Sequence, residues 1–213
     1  MLTIYALDLS PFALKVLYVA NALGLEYEKK RINLAGGEGK SEEYLKVHPA
    51  GKVPAMQEGD FTLFESNAII RYLADKNNSD FYPKDLERRA LVDQWIDFVT
   101  SHIQNGMGRV VYNKLVAPKF GLEVDESSLK CGYEFIERFL PIVDAQLAKT
   151  PYLAGDTMTL ADFALLAHTD PLEAIEVDVN TYPHLNKWRE PLKTQDFYQK
   201  VHKFYGESMM ASG

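Results

Sequence analysis

A single cysteine, Cys131, occurs in the 213 residues. No intrachain disulfide can form, and thiolates cannot build a zinc cluster. A reducing compartment is the expectation. Blocks of Lys and Arg are missing as well, and the formal net charge is -7, which argues against a general nucleic-acid binder. No run approaches the roughly 18–20 apolar residues that a membrane-crossing helix needs. The first residues, MLTIYALDLSPFALKVLYVANALGLE, are interrupted by Asp8, Pro11, Lys15 and Asn21. They lack a basic start and a small-residue cleavage site, so a secretory leader is not expected. The expectation is a cytoplasmic protein that meets neither nucleic acid nor membrane. With 46% hydrophobic and 25% charged residues, the composition is that of a folded globular chain, long enough for one large domain or two modest ones.

The order of elements can be read from apolar spacing. Residues 2–7 (LTIYAL) form a short buried strand. Ser10 can cap the helix that follows, and Pro11 suits its first position. Apolar residues continue at helical spacing to residue 23, and Gly24 supplies a stop. Residues 27–34 (YEKKRINL) read as a second strand, and a strand–helix–strand unit of this length favours a parallel pair. Residues 35–41 (AGGEGKS) form a glycine-rich loop that reads as mobile. Two further strands, 53–57 and 61–64, flank the turn Glu58-Gly59-Asp60. A helix from Ser66 to Lys76 closes the first domain, so its order is β-α-β, hairpin, helix. Residues 77–85, polar and containing Pro83, form a linker. Beyond it only helical patterns occur, at 86–115, 126–149, 160–169, 184–192 and 195–205, with Pro141, Pro171, Pro183 and Pro191 marking bends or stops. Residues 206–213 read as a frayed tail. The expected domains are 1–77 and 86–206.

Three stretches carry chemistry: Ser10-Pro11-Phe12, the run His48-Pro49-Ala50-Gly51-Lys52-Val53-Pro54, and Leu63-Phe64-Glu65-Ser66-Asn67-Ala68-Ile69. Read singly, each has a plain structural explanation. Ser10 is then an N-cap, Pro54 an ordinary trans proline opening a strand, and Ser66 a capping serine beside a solvated glutamate. In combination they resemble the glutathione transferase superfamily, especially its serine-type phi, theta and delta classes, over nearly the whole chain. The resemblance implies an α/β plus all-α architecture, with an N-terminal thioredoxin-like domain followed by a helical-bundle domain.

It also implies roles. Ser10 would donate its hydroxyl to the sulfur of bound glutathione, aided by the positive end of a helix dipole. The Val53 main chain, ahead of a cis Pro54, would pair with the cysteinyl backbone as an added strand does. Ser66 and Glu65 would hold the γ-glutamyl carboxylate and ammonium at a helix N-terminus. Lys40 and Lys52 would neutralise the glycyl carboxylate. Two positions depart from the family pattern: Asn67 stands where arginine is common, and Ala50 where phi proteins often place an aromatic residue that keys into the partner subunit. A two-fold homodimer is implied nonetheless. Glutathione enters as co-substrate, and no metal is implied.

In the second half, Thr159 and Asp162 form a capping box ahead of the helix at residue 160, with a structural role and a buried Asp162. Phe12, His102, Gly106, Arg109 and Tyr112 are candidates for the wall of a pocket for the second, electrophilic substrate; four of them fall on the helix that begins at residue 86. For each one taken singly, facing solvent or a partner is the plainer reading. Gly106 and Gly108 inside a helix suggest kept space or a kink. Three readings compete. The first is an enzyme that activates the glutathione thiol for attack on electrophiles, or for peroxide reduction at the same site. The second is a non-catalytic binding or assembly module of the same fold. A thioredoxin-type oxidoreductase fails because no cysteine lies near the first helix.

Overall fold

The computed structural model describes residues 1–8 and 10–201, and the chain divides into two compact units, residues 1–82 with 194 onward, and residues 83–193. The first unit is built on a four-stranded sheet. β1 (Leu2–Ala6) lies parallel to β2 (Tyr27–Arg31) and antiparallel to β3 (Ala55–Glu58), which pairs with β4 (Phe61–Phe64), giving the order β2-β1-β3-β4. All five β1 residues are buried, as a central strand requires. β2 exposes Glu28 to Arg31, which accounts for its charges: it is an edge strand.

Helix α1 (Pro11–Ala22) packs on this sheet with eight consecutive residues buried, Ala13 to Ala20. It ends where Gly24 takes a φ of +66°, a conformation that glycine adopts without steric cost. Between the expected loop at 35–41 and β3, where the sequence pattern assigned no element, a second helix is present. α2 (Glu42–Val47) is opened by Ser41, whose hydroxyl accepts the Tyr44 N–H at 3.2 Å. Six residues are too short to show a period, so the signal was the cap alone. α3 (Ser66–Lys76) completes the unit, buried through Ile69, Ile70, Leu73 and Ala74.

The helical unit starts with α4 (Leu86–Phe98), capped by Asp85. Two π-helical segments, Val99–Ile103 and Tyr112–Val116, join it through α5 (Gln104–Val111) to α6 (Ala117–Lys119), so the helical path runs without a break over residues 86–119. α7 (Glu126–Leu147) continues through Pro141, which lies on its exposed side. α8 (Leu160–Thr169) is buried along its whole length, and α9 (Pro183–Lys193) carries the buried Leu185, Trp188, Arg189 and Leu192. Among the described residues no helix is long and apolar enough to cross a membrane.

The division at the C-terminal end differs from the 86–206 reading. Residues from Thr194 onward group with the first unit. There α10 (Asp196–Gln199) brings Phe197 and Tyr198 onto the Tyr18 ring at 5.8 and 5.5 Å, and the Asn21 amide donates to the Phe197 carbonyl at 3.1 Å. Burial of these rings against α1 decides the matter, and helical period in the sequence says nothing of which neighbour a helix joins. The predicted helix 195–205 and the tail 206–213 lie partly and wholly outside the described residues.

Candidate active site

Ser10 stands at the N-cap of α1 with extended backbone angles (φ -71°, ψ 114°), and its carbonyl accepts the Leu14 N–H at 2.8 Å. Its hydroxyl, however, makes no capping bond. Pro11 has no N–H and so adds no donor to this helix end, and the first intrahelical bond is the one from Leu14. A half-buried hydroxyl thus sits at the positive end of a 12-residue helix without being consumed by the cap.

The Val53–Pro54 bond is cis. Val53 lies just ahead of β3, outside the strand ladders, and Pro54 is buried. The loop leading to it is held from two sides. The buried Tyr44 donates to the Lys52 carbonyl at 2.6 Å, and burial raises its phenol far above the ordinary range. Gly51, at φ +64°, meets Gly39 so closely that a Cβ on Gly51 would lie 2.4 Å from the Gly39 carbonyl oxygen, and a Cβ on Gly39 2.5 Å from that of Gly51. The glycine-rich loop is therefore a docked turn, with Gly36 N–H on Asn33 Oδ1 at 2.9 Å and Asn33 N–H on Glu38 Oε2 at 2.6 Å. That contact brings together the chain neighbours of the two glycines, the exposed Lys40 and Lys52. The sequence shows two glycines next to two lysines; only the backbone contact shows that they form one feature.

Glu65 and Ser66 open α3. Glu65 is the N-cap, exposed, with φ +70°, and its carbonyl accepts the Ile69 N–H at 3.0 Å. A non-glycine residue in this region is strained, and such strain gathers at functional sites. Ser66 is the first helical residue and is 6% exposed. The N-terminal turn of α3, which Ser66 opens, is the kind of helix end that can receive an anion. Asn67 accepts a 2.7 Å hydrogen bond from the Lys15 ammonium of α1. His48 stacks on Phe64 at 4.9 Å beside this turn. Burial lowers the His48 pKa, the Glu65 carboxylate acts to raise it, and Lys52 to lower it. Sequence reasoning left His48 and Lys15 without a role, since neither burial nor the α1–α3 contact has a local signature.

The five proposed electrophile-wall residues are distributed differently. Phe12 belongs to the first unit and is 37% exposed, with the Lys15 ammonium 5.8 Å from its ring centroid. In the second unit His102 stacks on Phe139 of α7 at 4.2 Å. Gly106 is buried against the same helix: a Cβ there would meet Phe135 Cβ at 2.8 Å and the Gly132 carbonyl at 3.0 Å. Gly106 and Gly132 thus let α5 and α7 approach closely, and the space the sequence suggested is filled by protein. Arg109 donates to Asn105 and to Ser128 of α7 at 3.1 and 3.2 Å. Tyr112 is 47% exposed. Among the described residues no group of three or more His, Cys, Asp or Glu side chains could hold a metal ion.

Comparison with known proteins adds the family. Residues 1–75 match the family model of the glutathione S-transferase N-terminal domain, and residues 104–196 that of the C-terminal domain. Glutathione S-transferase F10 of Arabidopsis thaliana is 32% identical over 189 residues, covering 85% of this chain and 87% of its own. Glutathione S-transferase 1 of Zea mays is 34% identical over 184 residues, covering 84% and 85%. A structure described as glutathione S-transferase-I bound with the ligand lactoylglutathione superposes with a TM-score of 0.87 at 32% identity, covering 94% and 97%. Glutathione transferase F7 from Populus trichocarpa gives 0.88 at 30%, covering 98% and 99%. A sheet of order β2-β1-β3-β4, a cis proline ahead of β3, an all-helical second unit and relatives of this identity over most of the chain have one reading: the chain belongs to the glutathione S-transferase family.

Proposed function

We propose that this protein is a glutathione transferase that binds glutathione on the first unit, stabilises its thiolate with Ser10, and delivers it to an electrophilic small molecule. The observation that carries the reading is the Ser10 hydroxyl, which stands at the N-terminus of α1 and makes no capping bond. A capping serine spends its oxygen on the helix; this one keeps it for another partner. The free thiol of glutathione has a pKa near 8.5, so only a few per cent is thiolate at neutral pH. A hydroxyl donor and a helix dipole both act on the anion more than on the thiol, and so lower that pKa.

In this reading the γ-glutamyl carboxylate lies on the N-terminal amides of α3 with the Ser66 hydroxyl. Glu65 holds the ammonium, the Val53 main chain pairs with the cysteinyl unit, and Lys40 with Lys52 meets the glycyl carboxylate. The exposure of Glu65, Lys40 and Lys52 and the strained Glu65 backbone support these assignments. The lactoylglutathione named for the solved relative supports a glutathione-like ligand. Two copies would associate as a homodimer in the cytoplasm, where the thiol stays reduced.

The test is the pH dependence of Ser10→Ala. Losing a hydrogen bond to a charged group is worth about 1.5–3 kcal/mol, or roughly one to two pKa units on the bound thiol. Turnover with a haloarene at pH 6.5 should fall about tenfold or more, recover towards high pH, and leave glutathione affinity little changed. A variant profile that overlays the parent's would remove Ser10 from the mechanism. Parallel assays with cumene hydroperoxide would separate conjugation from peroxide reduction.

A further inference from the structure

Lys15 has no role in the chemistry above, yet it is the most unusual charge in the first unit. It lies in the middle of α1, flanked on both sides by apolar residues, and is 1% exposed. Lysine is almost never this buried without a full counter-charge, because the ammonium loses its hydration. Here Nζ donates to a neutral amide, Asn67 Oδ1 at 2.7 Å, and the Phe12 ring stands 5.8 Å away. The nearest charges are Arg71, which opposes it, and the Glu65 carboxylate, which favours it; with burial as the largest cause, the ammonium is pulled down to about 7. One hydrogen bond to an amide does not offset the desolvation of an ammonium. For packing alone, a methionine would serve α1 better.

The contacts of Lys15 all lead to one place. Phe12 is in the first turn of α1, beside Ser10. Asn67 is the second residue of α3, and Glu65 is its N-cap. The turn therefore combines one exposed carboxylate, the positive end of the α3 dipole, and one desolvated ammonium. An amino-acid end that carries both a carboxylate and an ammonium needs the same elements: a positive field for the first and a negative group for the second.

We infer that Lys15 is a positioning residue for the zwitterionic γ-glutamyl end of glutathione, its ammonium fixing Asn67 in the first turn of α3 and adding a desolvated positive charge where the carboxylate is received. This rests on the glutathione-binding reading above and deepens it. A charge that is expensive for the fold is then retained because the ligand's carboxylate completes it. Burial lowers the Lys15 pKa to about 7, and a ligand carboxylate would act to raise it, as Glu65 does.

Lys15→Met removes the charge and keeps the length of the side chain. Titrated with glutathione by calorimetry at pH 6.5, the full-length variant should bind about tenfold more weakly than the parent. Its kcat at saturating glutathione should stay within roughly twofold, and its Tm should be equal or higher, because the desolvation cost is gone. Asn67→Asp provides a second route that leaves Lys15 in place: its carboxylate neutralises the ammonium, and binding should weaken by at least the same factor. A structural role predicts the reverse, with a lower Tm for Lys15→Met and parent-like affinity. Unchanged glutathione affinity in both variants overturns the inference even if the parent binds well. A parent that does not bind glutathione overturns the proposed function itself, and this inference with it.

Discussion

Two helix N-termini in this protein begin with the same sequence signal, a Ser or Thr ahead of an apolar helix, and use it in opposite ways. At α8 the signal is fully spent inside the protein. Asp162, entirely buried, accepts the Thr159 N–H at 2.8 Å, the Thr159 hydroxyl at 3.1 Å and the Leu153 N–H at 3.0 Å. At α1 the Ser10 hydroxyl makes no cap bond, and at α3 the N-cap position is a strained, exposed Glu65 whose side chain makes none either. A satisfied helix end stabilises a fold. One whose donors are left open to solvent is free to bind an anion. The difference separates a hydroxyl spent on its own helix from one that makes no cap bond, without any knowledge of a ligand.

The comparison breaks most visibly if Asp162 is replaced. Asp162→Ala leaves a hydroxyl and two backbone donors unsatisfied in the interior, and should cost about 3 kcal/mol or more in urea denaturation. Burial also raises the Asp162 pKa from the ordinary 3.8 to about 6. The folded form then keeps a proton that the unfolded chain has released. This group alone makes stability fall as pH rises from 3.8 to about 6, and Asp162→Asn should lack that slope. A parent stability curve that rises across the same window, with the Asn variant parallel to it, would contradict the assignment.

At the open helix end the loss should appear in binding. If the proposed binding mode holds, Glu65→Ala and Ser66→Ala should each remove a charge-assisted contact worth about 1.5–3 kcal/mol and lower glutathione affinity roughly 10- to 150-fold. The expectation for stability is a change of less than about 0.5 kcal/mol for Glu65, an exposed side chain without a cap bond. Calorimetry that returns parent-like dissociation constants for both variants would remove the γ-glutamyl end from α3. The smallest effects sharpen the contrast itself. Thr159→Ala should cost about 1 kcal/mol as a lost cap, whereas Ser10→Ala should shift stability by less than about 0.5 kcal/mol. Equal Tm losses for the two would mean that Ser10 caps its helix in solution.

Much of this organisation is legible along the chain. The apolar run LTIYAL, the Ser10-Pro11 start, the Gly24 stop, the Glu58-Gly59-Asp60 turn and the Thr159-Asp162 box are local signals, each acting within a few residues, and each falls where the spacing places it. Three features escaped. α2 is too short for a period, and Ser41 was its one marker. The turn around Gly39 read as mobile because its anchor, Gly51, lies twelve residues on. Gly106 read as kept space because its neighbour Gly132 belongs to another helix.

By itself, then, the sequence determined the element order, the all-helical second half, the serine, proline and glutamate–serine motifs and the family they resemble, because periodicity, capping and turn chemistry are short-range properties of the chain. Only the tertiary structure decided that the Ser10 hydroxyl is uncommitted, that Lys40 and Lys52 are neighbours through a glycine–glycine contact, that the segment after Lys193 joins the first unit, and that a buried Lys15 reaches Asn67. Those are questions of which distant atoms share one space and which polar groups are left without water. Close packing and burial answer them, and no window of neighbouring residues contains the answer.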